Sequence, residues 1–213
     1  MPTTRWRVLT LAEALGLAVY ISCYIWKLQL AHPNSWLVFP IWLLASFALH
    51  RDTPKTLGWR ADNLGPSVLL GWKIFIVFAA APLLAAFFFG AYHAWPPHFA
   101  HIDRFLGYFA FCLLQQVGLN SYMTNRLLYS FESLPVSALI AGLIFAALHW
   151  PNPVLVPLTF VGGVVMSWLF AKVRNIIPLA VGQAIIGTLV WWALPVAWHH
   201  GMRVGPGFYS FHP

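Results

Sequence analysis

Acidic residues are nearly missing from this chain: only five Asp and Glu stand among 213 residues, and charged residues of both signs make up 8%. An ordinary soluble domain carries about 25% charged residues, so water cannot solvate most of this surface. Cysteine is equally scarce. The two copies, Cys23 and Cys112, lie in apolar stretches without a partner motif, and read as small hydrophobes rather than as a disulfide or metal site. A cleavable leader is not expected either. The first apolar segment follows Arg5 and Arg7 but contains Glu13, and it ends in Tyr24, Ile25, Trp26 and Lys27 without a small-residue cleavage site, so it is expected to be retained. No internal repeat, low-complexity tract or linker divides the chain, and one domain over 1–213 is expected.

What the chain does have is apolar. Hydrophobic residues make up 60% of it, mean hydropathy is +0.72, and there are 12 Trp, whose amphipathic rings suit the headgroup boundary. Candidate spans fall at about 8–29, 36–50, 66–91, 104–126, 136–149, 154–171 and 176–198. Crossing ~30 Å of hydrocarbon takes about 20 residues, so the second and fifth are short. Pro40 and Pro82 sit inside spans, where neighbouring helices can satisfy the freed carbonyls. The fold class expected is all-α, a polytopic transmembrane helical bundle of about seven spans in the inner or cytoplasmic membrane, with the lipid bilayer as its first partner.

The formal net charge of +7 would suggest nucleic acid on a soluble protein. Here the basic residues follow the breaks between spans, so topology explains them and no nucleic-acid partner is expected. A cytoplasmic amino terminus puts Arg5, Arg7, Arg51, Lys55, Arg60, Lys73, Arg126, Lys172 and Arg174 on or near that side. It leaves Lys27, Arg104 and Arg203 opposite.

Polar side chains inside apolar spans are costly, and each needs a partner or a task. Gln115, Gln116 and Asn120 form the densest group, in the fourth span; 116 and 120 share a face one turn apart. His149 closes the fifth span in the string Phe145-Ala-Ala-Leu-His149-Trp-Pro-Asn152. Gln183 lies in the last span, with Gly187 one turn later and Thr188 beside it.

In this order and spacing the chain resembles the CAAX-processing and bacteriocin-processing (CPBP, Abi) family of intramembrane proteases. That family carries Glu-Glu-x-x-x-Arg, then Phe-x-x-x-His, then a His-x-x-x-Asn or Ser signature on successive helices. Phe145 and His149 meet the second. Gln115, Gln116 and Asn120 fall on the first, and Gln183 and Gly187 on the third. The segments His50-Arg-Asp-Thr-Pro-Lys-Thr-Leu-Gly58, Thr159-Phe-Val-Gly-Gly163 and Arg203-Val-Gly-Pro-Gly207 are similar to the family as well.

The resemblance implies a glutamate and a histidine that activate water, and a third signature that steadies an oxyanion. Glutamine is nearly isosteric with glutamate but cannot ionise, so Gln115 and Gln116 cannot serve as the base. Gln183 keeps an N–H donor, whereas Gly187 has none. The reading is therefore a catalytically degenerate CPBP-like protein, an assembly or accessory subunit alongside other membrane protein subunits. Two alternatives stay open: an active CAAX-type endopeptidase using His149, and a pigment- or cofactor-associated scaffold. The amides also read as helix-to-helix glue. No cofactor or metal is expected; His93, His98 and His101 match no ligand spacing, and His199-His200 reads as an interfacial cap. Of the five acids, only Glu13 lies clearly within a span, and capping, or pairing with Lys27 or a neighbouring helix, is expected of it.

Overall fold

In a computed structural model, residues 4–91 and 102–211 are described, and every regular element among them is helical. Three helices are long and apolar enough to cross a membrane: α1 (Thr4–Ala31), α4 (Leu64–Phe89) and α7 (Leu155–Val173). Shorter apolar helices are α2 (Asn34–Leu49), α6 (Leu134–Ala147) and α8 (Ile177–Ala193). Pro54–Leu57 forms the single-turn α3. Residues 102–131 form α5, whose middle, Val117–Thr124, widens into a π-helix. This is an all-helical membrane bundle, as the composition requires. Short Val196–His199 and Pro206–Tyr209 turns, α9 and α10, close the chain.

The span limits move by a few residues, with one consequence for the site. The fifth span ends at Ala147, so His149 lies in the turn beyond the helix rather than at its last position. The last span stops at Ala193, because Leu194 is extended ahead of Pro195. His93, His98 and His101 lie outside the described residues. The two cysteines are free; Cys112 is buried as expected, but Cys23 is exposed on the apolar outer face.

Contacts sort the breaks onto two ends. At one, Arg7 pairs with Glu132, Arg126 Nη2 donates to Asp52 Oδ2 at 2.7 Å, and Asn175 Nδ2 donates to Asn63 Oδ1 at 2.7 Å. Arg60 and Asp62 pair here too, and the guanidinium holds the Asp62 carboxyl down to about 2. At the other end, Gly205 N donates to Trp150 O at 2.9 Å, and Tyr20 Oη donates to Ser35 O at 2.9 Å. The chain thus alternates between ends, and most of its basic residues gather at the first.

That first end is built by sequence-local rules. Thr53 caps α3 in a reciprocal box with Thr56. Gly58 follows with φ 83°, where a Cβ would stand 2.6 Å from the Phe170 ring, so only glycine suits both backbone and space. Asn125 Nδ2 then donates to Thr56 O at 2.9 Å, docking this turn onto α5. In the bundle, α6 packs against α7, and α8 contacts both α4 and α5.

Candidate active site, with its amide relay

Inside α5 the chain is buried on every side. Leu119, Asn120, Ser121, Tyr122, Met123 and Thr124 are six consecutive buried residues, which an amphipathic helix with an outer face would not show. The π geometry within this stretch shifts the register of its polar side chains, and such segments are frequent at functional sites. α5 is therefore the central helix that positions the first-signature residues.

The amides form a relay between α5 and α8. Gln116 Nε2 donates to Gln183 Oε1 at 2.6 Å, and Gln183 Nε2 donates to Gln115 Oε1 at 2.6 Å. Asn120 Nδ2 donates back to Gln116 Oε1. The Thr124 hydroxyl continues the line, 3.1 Å from Asn120 Oδ1 and 2.9 Å from Ser167 Oγ on α7. Gln116 Nε2 also lies 3.0 Å from Met166 Sδ. Gln116, Asn120, Thr124 and Ser167 are fully buried. Along this line each amide contact sets an N–H donor against an oxygen acceptor, as buried polar groups require.

Beside the relay is a cavity of about 720 Å³. Gln115, Gln183, Gly187 and His149 line it, while Gln116 and Asn120 sit behind that wall. The polar strip is narrow, and the remaining wall is aliphatic and aromatic. The His149 ring packs edge-on against Phe145, with centroids 4.7 Å apart, and its Nδ1 lies 2.6 Å from Phe145 O. Among the described residues His149 makes no hydrogen bond to the amides. All five acids are described, and neither they nor any Lys or Arg lines the cavity.

Two further residues shape the site, and neither was anticipated. At Gly187 an added Cβ would stand 2.1 Å from Tyr108 Oη. The phenol of Tyr108, one turn before Cys112 on α5, thus fills the space where a side chain at 187 would begin. Asn152, noted only for its place after His149, is a clamp. Its Nδ2 donates to His199 O at 2.7 Å and Arg203 O at 3.0 Å, and its Oδ1 accepts from Val154 N and Leu155 N. It pins the carboxyl-terminal turns over the His149 end. His199 is fully buried and His200 stacks on Phe208 with centroids 3.9 Å apart, so both serve that closure. A tyrosine 79 positions from its glycine leaves no local signal, whereas the 116, 120, 124 spacing shows the polar line in the sequence itself.

Residues 112–189 match a family model described as type II CAAX prenyl endopeptidase Rce1-like. The resemblance to this protease family is shown over that stretch. It spans every motif position, from Gln115 through Gly187. No curated protein and no solved structure matches the chain. The Rce1-like segment comprises most of α5, all of α6 and α7, and most of α8, which are the helices that build the relay.

Proposed function

We propose that this CPBP-like membrane protein does not turn over peptides, and that its cavity holds a neutral apolar ligand or partner segment. In this role it serves as an assembly or accessory subunit of a larger membrane complex. One observation carries the reading: the Gln116–Gln183–Gln115 amides hydrogen-bond to one another along the wall of a cavity that no charged residue lines. A hydrolytic site needs a base that takes a proton from water, and glutamine has no such capacity. Loss of a general base costs about 10²–10⁴-fold and loss of an oxyanion donor about 10²–10³-fold. Together these leave little catalysis in a site that has lost both. A cavity of neutral amides, one imidazole and apolar walls suits a ligand that carries carbonyl or hydroxyl groups on a hydrocarbon body. The gathering of basic residues at one end supports a cytoplasmic amino terminus in an inner or cytoplasmic membrane.

The test uses full-length protein in detergent, offered prenylated CAAX peptides. No cleavage above background is expected, and His149→Ala should alter melting temperature or complex recovery instead. Cleavage that His149→Ala abolishes would sink the proposal. Recovery of stoichiometric membrane subunits from the native membrane supports the accessory role, and recovery of the protein alone argues against it.

A further inference from the structure

An ionisable cluster lies away from the neutral amide relay, where α1, α2 and α5 meet. Glu13 sits within α1, inside the apolar bundle, and a carboxylate there requires a reason. Ser46 Oγ donates to its Oε1, and His50 Nε2 lies 3.0 Å from its Oε2. Pairing with a neighbouring helix thus holds, and it is α2 rather than Lys27. Arg126 is a third partner, and it also donates to Ser46 Oγ from Nε at 3.0 Å and from Nη2 at 2.7 Å. Its Nε is 3.6 Å from Glu13 Oε1, while its Nη2 donates to Asp52 at 2.7 Å. The Arg126 side chain is 3% exposed and that of Glu13 18%, so the carboxylate faces open space and the guanidinium does not.

That open space is a second cavity of about 580 Å³. Glu13, Ser46, His50, Thr10, Trp6 and Trp42 line it, and Glu13 is its only carboxylate. Its rim carries Leu9, Ile41 and Leu49, which are 50%, 65% and 60% exposed on the apolar outer face. A ligand reaching this cavity therefore comes through lipid and needs an apolar body. Its head meets a carboxylate with about four lone-pair sites, of which Ser46 and His50 occupy two. The exposed part of the carboxylate opens into the cavity that Trp6 and Trp42 also line, and indole rings favour a cation over their faces. An anionic head is repelled, and a hydroxyl offers one donor where an ammonium offers three.

We propose that this cavity binds the primary ammonium head of a membrane amphiphile, with Glu13 as its counter-ion and Trp6 and Trp42 on its flanks. This site is independent of the reading given to the amide cavity.

The test uses full-length protein in phosphatidylcholine nanodiscs, photolabelled with a dodecylamine that carries a diazirine beside its nitrogen. The corresponding dodecanol probe corrects for simple partition into lipid. Amine labelling of residues 4–13 and 38–50, mapped by mass spectrometry, should exceed alcohol labelling by about tenfold, the worth of one charge-assisted hydrogen bond. Unlabelled dodecylamine should compete. Phosphatidylethanolamine added to the nanodiscs distinguishes the source: competition assigns the site to a lipid headgroup, and its absence to a free amine. Glu13→Gln should reduce amine labelling to the alcohol level. Because Glu13 also ties α1 to α2, Ala45→Phe provides a second variant, which fills the cavity rim and leaves the carboxylate in place. Equal labelling by amine and alcohol, or amine labelling that persists in folded Ala45→Phe, overturns the proposal.

Discussion

Gln183 accepts a hydrogen bond from Gln116 at 2.6 Å and, through its own amide nitrogen, donates one to Gln115 at 2.6 Å. One side chain of α8 thereby satisfies two consecutive side chains of α5. The relay has a direction, since Gln116 and Gln183 each donate on one side and accept on the other, and a change at its centre removes an oxygen acceptor on one side and a donor on the other.

Gln183→Ala should therefore destabilise the bundle more than a surface substitution would. Gln116 Nε2 would keep only the Met166 sulfur, a weak acceptor, and Gln115 Oε1 would lose its donor. Orphaned buried polar groups cost about 1–3 kcal/mol each. A fall in melting temperature in detergent is the expected readout. An unchanged melting temperature would show that water or lipid replaces the amide at no cost.

Gly187 and Tyr108 should behave as a coupled pair. Gly187→Ala puts a methyl 2.1 Å from Tyr108 Oη and forces the phenol aside, an overpacking cost of about 1–3 kcal/mol. In the Tyr108→Phe background the nearest remaining atom is Cζ at 3.0 Å, so the same glycine change should cost less. A double-mutant cycle of thermal or denaturant stability checks this, and additive effects would place the phenol elsewhere.

The helical, membrane-spanning character of the chain was legible because hydrophobic length and basic breaks are properties of contiguous sequence, and three helices are long and apolar enough to cross a membrane. Limits moved where the chain's own geometry decided, as at Leu194 before Pro195, or at Ala147, after which the chain turns ahead of His149. The π segment was not legible, since polar residues at 116, 120 and 124 satisfy an ordinary helical face equally well. Glu13 shows the same limit. Its position inside a span was plain, but its partners Ser46, His50 and Arg126 lie 33, 37 and 113 positions away. The amide positions were found because they sit in a recognisable order; their hydrogen bonds to one another depend on the approach of α5 and α8 across 67 residues.

The crossing of α6 and α7 should be intolerant of bulk. Gly142 stands where a Cβ would meet Val164 Cγ2 at 2.5 Å and Phe160 O at 2.8 Å, and a Cβ at Gly163 would meet Gly142 Cα at 2.9 Å. The backbones touch here, as small-residue interfaces allow in membranes. Gly142→Ala should lower stability by about 1–3 kcal/mol, because one of its obstacles is backbone and cannot rotate away. Because these helices also carry Phe145 and Met166 at the cavity wall, ligand binding should weaken with it. A neutral result in both assays would refute the close crossing.

Single cysteines at Lys55 and Phe208, in a background without Cys23 and Cys112, should react with an impermeant thiol reagent from opposite sides of sealed vesicles. The basis is the separation of the two ends, one held by Arg126–Asp52 and the other by Gly205–Trp150. Labelling of both from one side would remove a crossing from the bundle.

Restoring carboxylates should separate the two glutamines. Gln115 lines the cavity and its Oε1 only accepts from Gln183, so a carboxylate at 115 preserves that bond and has open space beside it. Gln116 is fully buried, and its nitrogen donates to Gln183 Oε1. A carboxylate there would set oxygen against oxygen, with Asn120 rather than a cation one turn away. An unpaired buried charge costs about 3–5 kcal/mol. Gln116→Glu should therefore be the severely destabilised variant, and Gln115→Glu close to wild type. The Gln115→Glu protein then has a carboxylate and His149 in one cavity, but still no side-chain donor at 187. Its peptide cleavage should stay near background, because the oxyanion donor alone is worth about 10²–10³-fold. Measurable cleavage in Gln115→Glu that His149→Ala removes would show instead that the acid was the one missing part, and that Gln183 or Tyr108 already supplies the donor.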